Sequence, residues 1–186
     1  MKLKLLVSAI ALSIIAPLAS AEVSVTGTVT SDYMFRGVSQ TDSSPAVQVS
    51  LDYAHDNGFY AGTWVSNVDF GDDADAEIDF YAGYGAEVNE KFSWDLSYTY
   101  YTYTGYDSDE DYDYGEIIVN AYFDAFTLTY GHASDYAQSD MTAQYLAASY
   151  DIELENEYAL TLQAGFNFGE AIEDTFGEKY VDYSAT

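Results

Sequence analysis

The residues able to do chemistry near neutral pH are few. The chain has two histidines, His55 and His132, and no cysteine. His132 and Ser134 are spaced i, i+2, which on a strand turns both to one face, with Asp135 beside them. An imidazole next to a hydroxyl is the arrangement that activates a serine for acyl transfer. The pattern is short and common, and a histidine at a strand end accounts for it without any reaction, so the chain is read as a non-enzyme with no cofactor. His55 adjoins Asp56 at a tight turn. Two acidic runs, Gly71 to Glu77 and Asp107 to Asp113, offer the hard oxygens Ca²⁺ favours. Asp109, Asp111 and Asp113 alternate as EF-hand ligands do, but Tyr114 stands where the loop needs glycine and Asn120 where it needs glutamate. Solvated loops explain these runs, and divalent ions bridging them to lipopolysaccharide phosphates are the alternative.

A second set is defined by parity. Asp32, Asp52, Asp79, Asp95, Glu116 and Asp182 fall on the polar side of alternating segments. If that side lines a lumen, the lumen is acidic and hydrated and favours cations. Lipid-facing charge would cost about 2–4 kcal/mol per basic residue at the bilayer midplane, and less for acids, so inward placement is the cheaper assignment. Arg36, the sole arginine, is expected on the polar face of the first strand, four residues from Asp32. A lone cation among carboxylates is expected to be paired in the wall, with a gating charge as the rival reading.

The elements that must position these residues have a period of two. Phe92, Trp94, Leu96, Tyr98 and Tyr100 alternate with Ser93, Asp95, Ser97, Thr99 and Tyr101, and Val47, Val49, Leu51 and Tyr53 alternate with Gln48, Ser50 and Asp52. Ten strands are expected, near 22–35, 45–55, 58–68, 76–87, 91–103, 114–123, 125–133, 141–151, 157–168 and 178–186. Tight turns at 56–58, 89–90, 124–125 and 154–156 alternate with longer loops at 36–44, 69–75, 104–113, 134–140 and 169–177. In a meander this puts every short turn at one end and every long loop at the other, as in outer-membrane barrels. Tyr98, Tyr100, Tyr101, Tyr103 and Tyr106 suit an aromatic girdle at headgroup level.

Lys2 and Lys4 precede an apolar run, Leu5 to Leu18, that ends at Ala19-Ser20-Ala21. This is the layout of a cleaved secretory signal over residues 1–21, leaving 22–186 as one domain. The whole chain carries a formal charge of −27, and losing the leader removes two of its five basic residues and no acid. Nucleic acid is excluded as a partner. The 20 tyrosines and 10 phenylalanines separate the chain from disordered acidic segments.

The chain also resembles the proteobacterial TorF family, exported proteins that carry a porin label. The resemblance rests on Ser31-Asp32-Tyr33-Met34-Phe35-Arg36-Gly37-Val38-Ser39-Gln40-Thr41, on Pro45-Ala46-Val47-Gln48, and on Gly58-Phe59-Tyr60-Ala61-Gly62-Thr63-Trp64-Val65-Ser66-Asn67-Val68. It covers the leader and first half, implies an exported β-barrel, and supplies no catalytic residues. The His132-x-Ser134 pattern is similar to that of outer-membrane lipid A deacylases. The expected fold is all-β, an antiparallel up-and-down transmembrane barrel of ten strands, or twelve if a final hairpin lies beyond Thr186. The expected function is a narrow outer-membrane porin for small solutes or cations, in contact with lipid and lipopolysaccharide, with the oligomeric state open. A closed surface-binding barrel and a soluble exported β-sandwich are the rivals.

Overall fold

The computed structural model describes residues 10–18, 21–106, 112–154 and 158–186, with side chains described from residue 21 onward. Residues 1–9 and 19–20 of the expected leader, most of the second acidic run (107–111), and residues 155–157, which hold most of the turn expected at 154–156, lie outside the described residues.

The described chain is nearly all strand. In order it forms β1 (Ile10–Leu18), β2 (Ala21–Thr30), β3 (Met34–Phe35), β4 (Val38–Ser39), β5 (Ala46–His55), β6 (Phe59–Asn67), β7 (Ala76–Asn89), β8 (Phe92–Thr104), β9 (Tyr114–Phe123), β10 (Phe126–Ala133), β11 (Ala143–Glu153), β12 (Ala159–Phe168) and β13 (Tyr180–Ala185). Among the described residues one α-helix, α1 (Glu170–Phe176), interrupts the last long loop, and a 3₁₀ turn lies at Tyr136–Gln138. Eleven strands make a single sheet in the order β1-β2-β5-β6-β7-β8-β9-β10-β11-β12-β13, while β3 and β4 pair with each other. Every pairing in the large sheet is antiparallel between neighbours, so the expected meander is present. The turn at Gly58 is closed by its amide donating to the His55 carbonyl at 2.9 Å.

Side-chain alternation sorts the sheet into two unlike faces. The outer face is apolar and uncovered: Val47, Phe80 and Leu128 are 61 %, 54 % and 53 % exposed, whereas the inward Glu116 and Glu77 are 1 % and 2 % exposed. The sandwich expectation required the apolar faces to pack on each other. Instead the polar faces are enclosed and the apolar ones stand free.

The expected end of the first strand is corrected. The strand ends at Thr30, not at residue 35. The Thr30 hydroxyl donates to the Asp32 carbonyl at 2.8 Å, and the Asp32 carboxylate accepts from Ser39 and Thr41 at 2.7 and 3.2 Å, which turns the chain off the sheet. The small hairpin β3–β4 follows, with Arg36 and Gly37 at φ of 48° and 84° forming its two-residue turn. Positive φ at both central positions is what a tight hairpin of this hand requires, and glycine meets it without strain.

That hairpin lies inside the sheet. Tyr33 meets Trp64 of β6 at 5.2 Å between rings, Phe35 meets Tyr101 of β8 at 6.0 Å, and the Arg36 guanidinium lies 4.3 Å from the ring centre of Tyr145 on β11. Gly37 packs against Asp182 of β13. One short hairpin can touch β6, β8, β11 and β13 only if the sheet curls around it. The curl does not close, contrary to the expected barrel. β1 pairs with β2 from Ile10↔Val29 to Leu18↔Ala21 and occupies the β2 edge, while β13 at the other end pairs with β12 alone.

Candidate functional site

The interior is built from side chains that leave the sheet on its polar side, and three of its acids follow one rule. Asp52, Gly62 and Tyr81 stand side by side on β5, β6 and β7, and the Tyr81 ring lies across Gly62 with its hydroxyl donating to Asp52. Tyr60 lies across Gly83 and donates to Asp95, which also accepts from Asn120 at 3.2 Å. Tyr145 lies across Gly165 and donates to Asp182 at 3.3 Å, with Asn167 adding a bond of 2.9 Å. A side chain at any of these glycines would overlap the tyrosine ring. Glycine leaves a gap in the wall, tyrosine fills it, and its hydroxyl reaches the carboxylate one strand further on. Hydrogen bonds to an ionised acceptor are the stronger kind, so these acids are held without a basic partner.

Arg36 and Glu116 form the centre of the contacts between the β3–β4 hairpin and the sheet. The guanidinium grips the carboxylate through two bonds of 2.8 and 2.7 Å, and Tyr101 donates to the same carboxylate at 3.1 Å. Phe35 also flanks the guanidinium, 4.7 Å from its ring centre. Burial works against the Arg36 charge, but Glu116 more than offsets it, so the guanidinium is held above its ordinary pKa and stays charged. The expected internal ion pair is present, with two corrections: Arg36 sits on the hairpin turn, and its partner is Glu116 across the interior. Asp32 ties the hairpin down instead.

At the long-loop end the hairpin borders a cavity of about 380 Å³ walled by Phe35, Phe70, Tyr103, Tyr114, Tyr136 and Phe176. Tyr114 contacts Tyr136 at 4.7 Å and Phe70 contacts Tyr103 at 5.7 Å between rings. Helix α1 lays Ala171 and Ile172 on this cluster. Burial pushes the Tyr136 hydroxyl above its usual pKa, so it stays neutral. The expected tyrosine girdle therefore divides. Tyr98 and Tyr100 face outward, Tyr101 and Tyr103 belong to the interior, and Tyr106 donates to Asp72 at 2.8 Å in the loops.

Asp52, Asp79, Asp95, Glu116 and Asp182 stand on the inner side of the sheet, and Asp79 has an acidic neighbour of the same parity. Glu77 is two residues earlier on the same face, and the two acids lie against each other. Elsewhere, Asp69 just before the first acidic run and Asp72 within it accept from the backbone amides of Gly71 and Ala74 at 3.0 Å each. Among the described residues no set of three or more His, Cys, Asp or Glu is arranged to hold a metal ion. His132 lies 3.3 Å from the Gln144 amide through Nδ1.

Among the described residues no helix is long and apolar enough to cross a membrane, which leaves strands untouched by the test. Comparison with curated proteins and with solved structures finds no match. A family model does match, over residues 16–186, and it carries no porin label. The chain belongs to the family described as bacterial protein of unknown function, Gcw_chp.

Proposed function

We propose that the protein is a strand-spanning protein of the Gram-negative outer membrane whose interior is plugged, and that it works by binding at its long-loop end more than by conducting. The observation that carries this reading is the inverted sheet, with uncovered Val, Leu, Ile and Phe outside and carboxylates inside. In water such an outer face is a large unfavourable apolar surface; in lipid it is the required one. The secretory leader and the alternation of short turns with long loops support the same placement, as does the TorF resemblance. Outer-membrane lipid and lipopolysaccharide are then the immediate surroundings.

Closure fits this reading. On this reading signal peptidase cleavage after Ala21 removes β1 and frees the β2 edge, and β13 already lies against Gly37 of the separate hairpin that follows β2. A closed wall around the hairpin has its cross-section filled by Arg36, Glu116, Phe35 and Tyr101. That favours a shut interior over the narrow porin. A cation path remains the second reading, favoured by the inward acids, and it requires the hairpin to move.

Planar-bilayer recording of the refolded mature protein tests both. The plugged reading expects a closed baseline for the wild type and small cation-selective openings when residues 33–41 are replaced by a short Gly-Ser link. Steady conductance in the wild type overturns the plug. Failure to leave the soluble fraction in fractionated cells overturns the membrane placement.

A further inference from the structure

The cavity at the long-loop end is walled by rings that already hold one another. Phe70 meets Tyr103 at 5.7 Å, Tyr114 meets Tyr136 at 4.7 Å, and Phe176 meets Tyr180 at 4.9 Å between ring centres, and all six line the cavity. These pairs arrive from different loops, since Phe70 precedes β7, Tyr136 precedes β11 and Phe176 ends α1. Ring pairs at such spacings fix each other's positions, so the wall is set before a ligand arrives. It also runs from the surface to the core: Phe70 and Phe176 are 40 % and 43 % exposed, while Ala143 and Ile172 in the same wall are buried.

The charged and polar side chains in that wall have partners within the protein. Arg36 gives both terminal nitrogens to Glu116 at 2.8 and 2.7 Å, and Asn167 donates to Asp182 at 2.9 Å. Gln40 donates to the Val38 carbonyl at 3.0 Å, and Asp72 accepts from Tyr106 at 2.8 Å. An anion therefore meets no free cation here, and a chain of formal charge −27 repels it from a distance. A cation gains little, because Asp72 is exposed to water and already shared with Tyr106. A sugar would give up the water on its many hydroxyls for a wall that returns few hydrogen bonds. What remains is ring surface. That suits a flat, uncharged ring, which can pack edge to face or offset against several of these side chains at once. Size agrees: an apolar cavity of roughly 150 Å³ accommodates benzene, and about 380 Å³ leaves room for a larger ring system.

We propose that this cavity binds a small uncharged aromatic molecule, about the size of two fused rings. The site rests on the binding role proposed for the long-loop end and gives that role a ligand class.

The test is equilibrium dialysis of the refolded mature protein in detergent against 2-naphthol, 2-naphthoate, 2-naphthylmethylammonium or maltose, with the uptake of protein-free micelles subtracted. Saturable uptake of 2-naphthol is expected, with the two charged probes weaker by about tenfold or more and no uptake of maltose. Phe70→Ala and Phe176→Ala each remove an exposed ring of the wall and should weaken 2-naphthol by about fivefold, the loss expected for one aromatic contact. Phe126→Ala, the same exchange on an exposed ring at the short-turn end, should leave it within about twofold. Heat-modifiable gel mobility verifies that each variant is folded. A charged probe bound as tightly as 2-naphthol, saturable uptake of maltose, or Phe70→Ala and Phe176→Ala proteins that both bind like wild type overturns the proposal. So does a folded wild type with no saturable uptake of 2-naphthol, which leaves the membrane placement standing. A protein that folds in buffer without detergent overturns the membrane placement instead, and the same dialysis in that buffer then decides the cavity.

Discussion

Asp95 and Asp79 sit on neighbouring strands, on the same face, at nearly the same burial of 8 % and 9 % exposure, yet their surroundings are opposite. Asp95 accepts from Tyr60 and Asn120, whereas Asp79 keeps an oxygen without a donor. The difference comes from the neighbouring strands. Gly83 lets Tyr60 cross β7 to reach Asp95, while the hairpin brings Tyr33 to Asp79 and Glu77 as one phenol for two carboxylates. Asp95 is held by a tyrosine that crosses a glycine and Glu116 by Arg36 and Tyr101, whereas Asp79 meets neither arrangement.

The comparison is broken most severely at the plug. Arg36→Met leaves Glu116 buried without its cation and should cost about 3–5 kcal/mol, measured by urea unfolding in micelles. The double variant Arg36→Met, Glu116→Met should recover most of that loss, and failure to recover would show that the hairpin is held by something else. Next comes the glycine gap. Gly62→Val displaces the Tyr81 ring and should cost about 1–3 kcal/mol by overpacking, with Asp52 losing its donor. Tyr60→Phe is milder, about 1–2 kcal/mol, because Asn120 still serves Asp95. The smallest effect has the opposite sign: Asp79→Asn should raise stability by about 1 kcal/mol. If Asp79→Asn and Asp95→Asn shift the urea midpoint in the same direction, the two acids are alike and the distinction fails.

Much of this architecture was readable from residue order because the outer face is set by strict alternation. The segment from Phe92 to Tyr101 shows it, with Tyr101 already on the parity of Asp95 and Thr99 and so destined for the interior. Short turns and long loops gave the meander for the same reason. Alternation also misled. Val29, Tyr33 and Phe35 keep the period through the hairpin, so period alone could not end β2 at Thr30; the turn chemistry of Arg36-Gly37 was the signal that could have. The tyrosine crossings were hidden because they depend on cross-strand register, which places Gly62 opposite Tyr81 and Asp52. A glycine inside a strand was the available hint of a close approach. The Arg36–Glu116 pair joins residues 80 positions apart and had no local trace.

The central claim is that the apolar outer face meets lipid and the acidic inner face does not. The chain has no cysteine, so single cysteines carry an unambiguous label. Bimane attached at Leu128, Leu146 or Ile117 on the outside, and at Thr129 or Ala147 on the inside, can be read in vesicles of brominated lipid. The account predicts strong quenching at the three outer positions and little at the two inner ones. Equal quenching on both faces, or a mature protein that stays folded and monomeric in buffer without detergent or lipid, would contradict it.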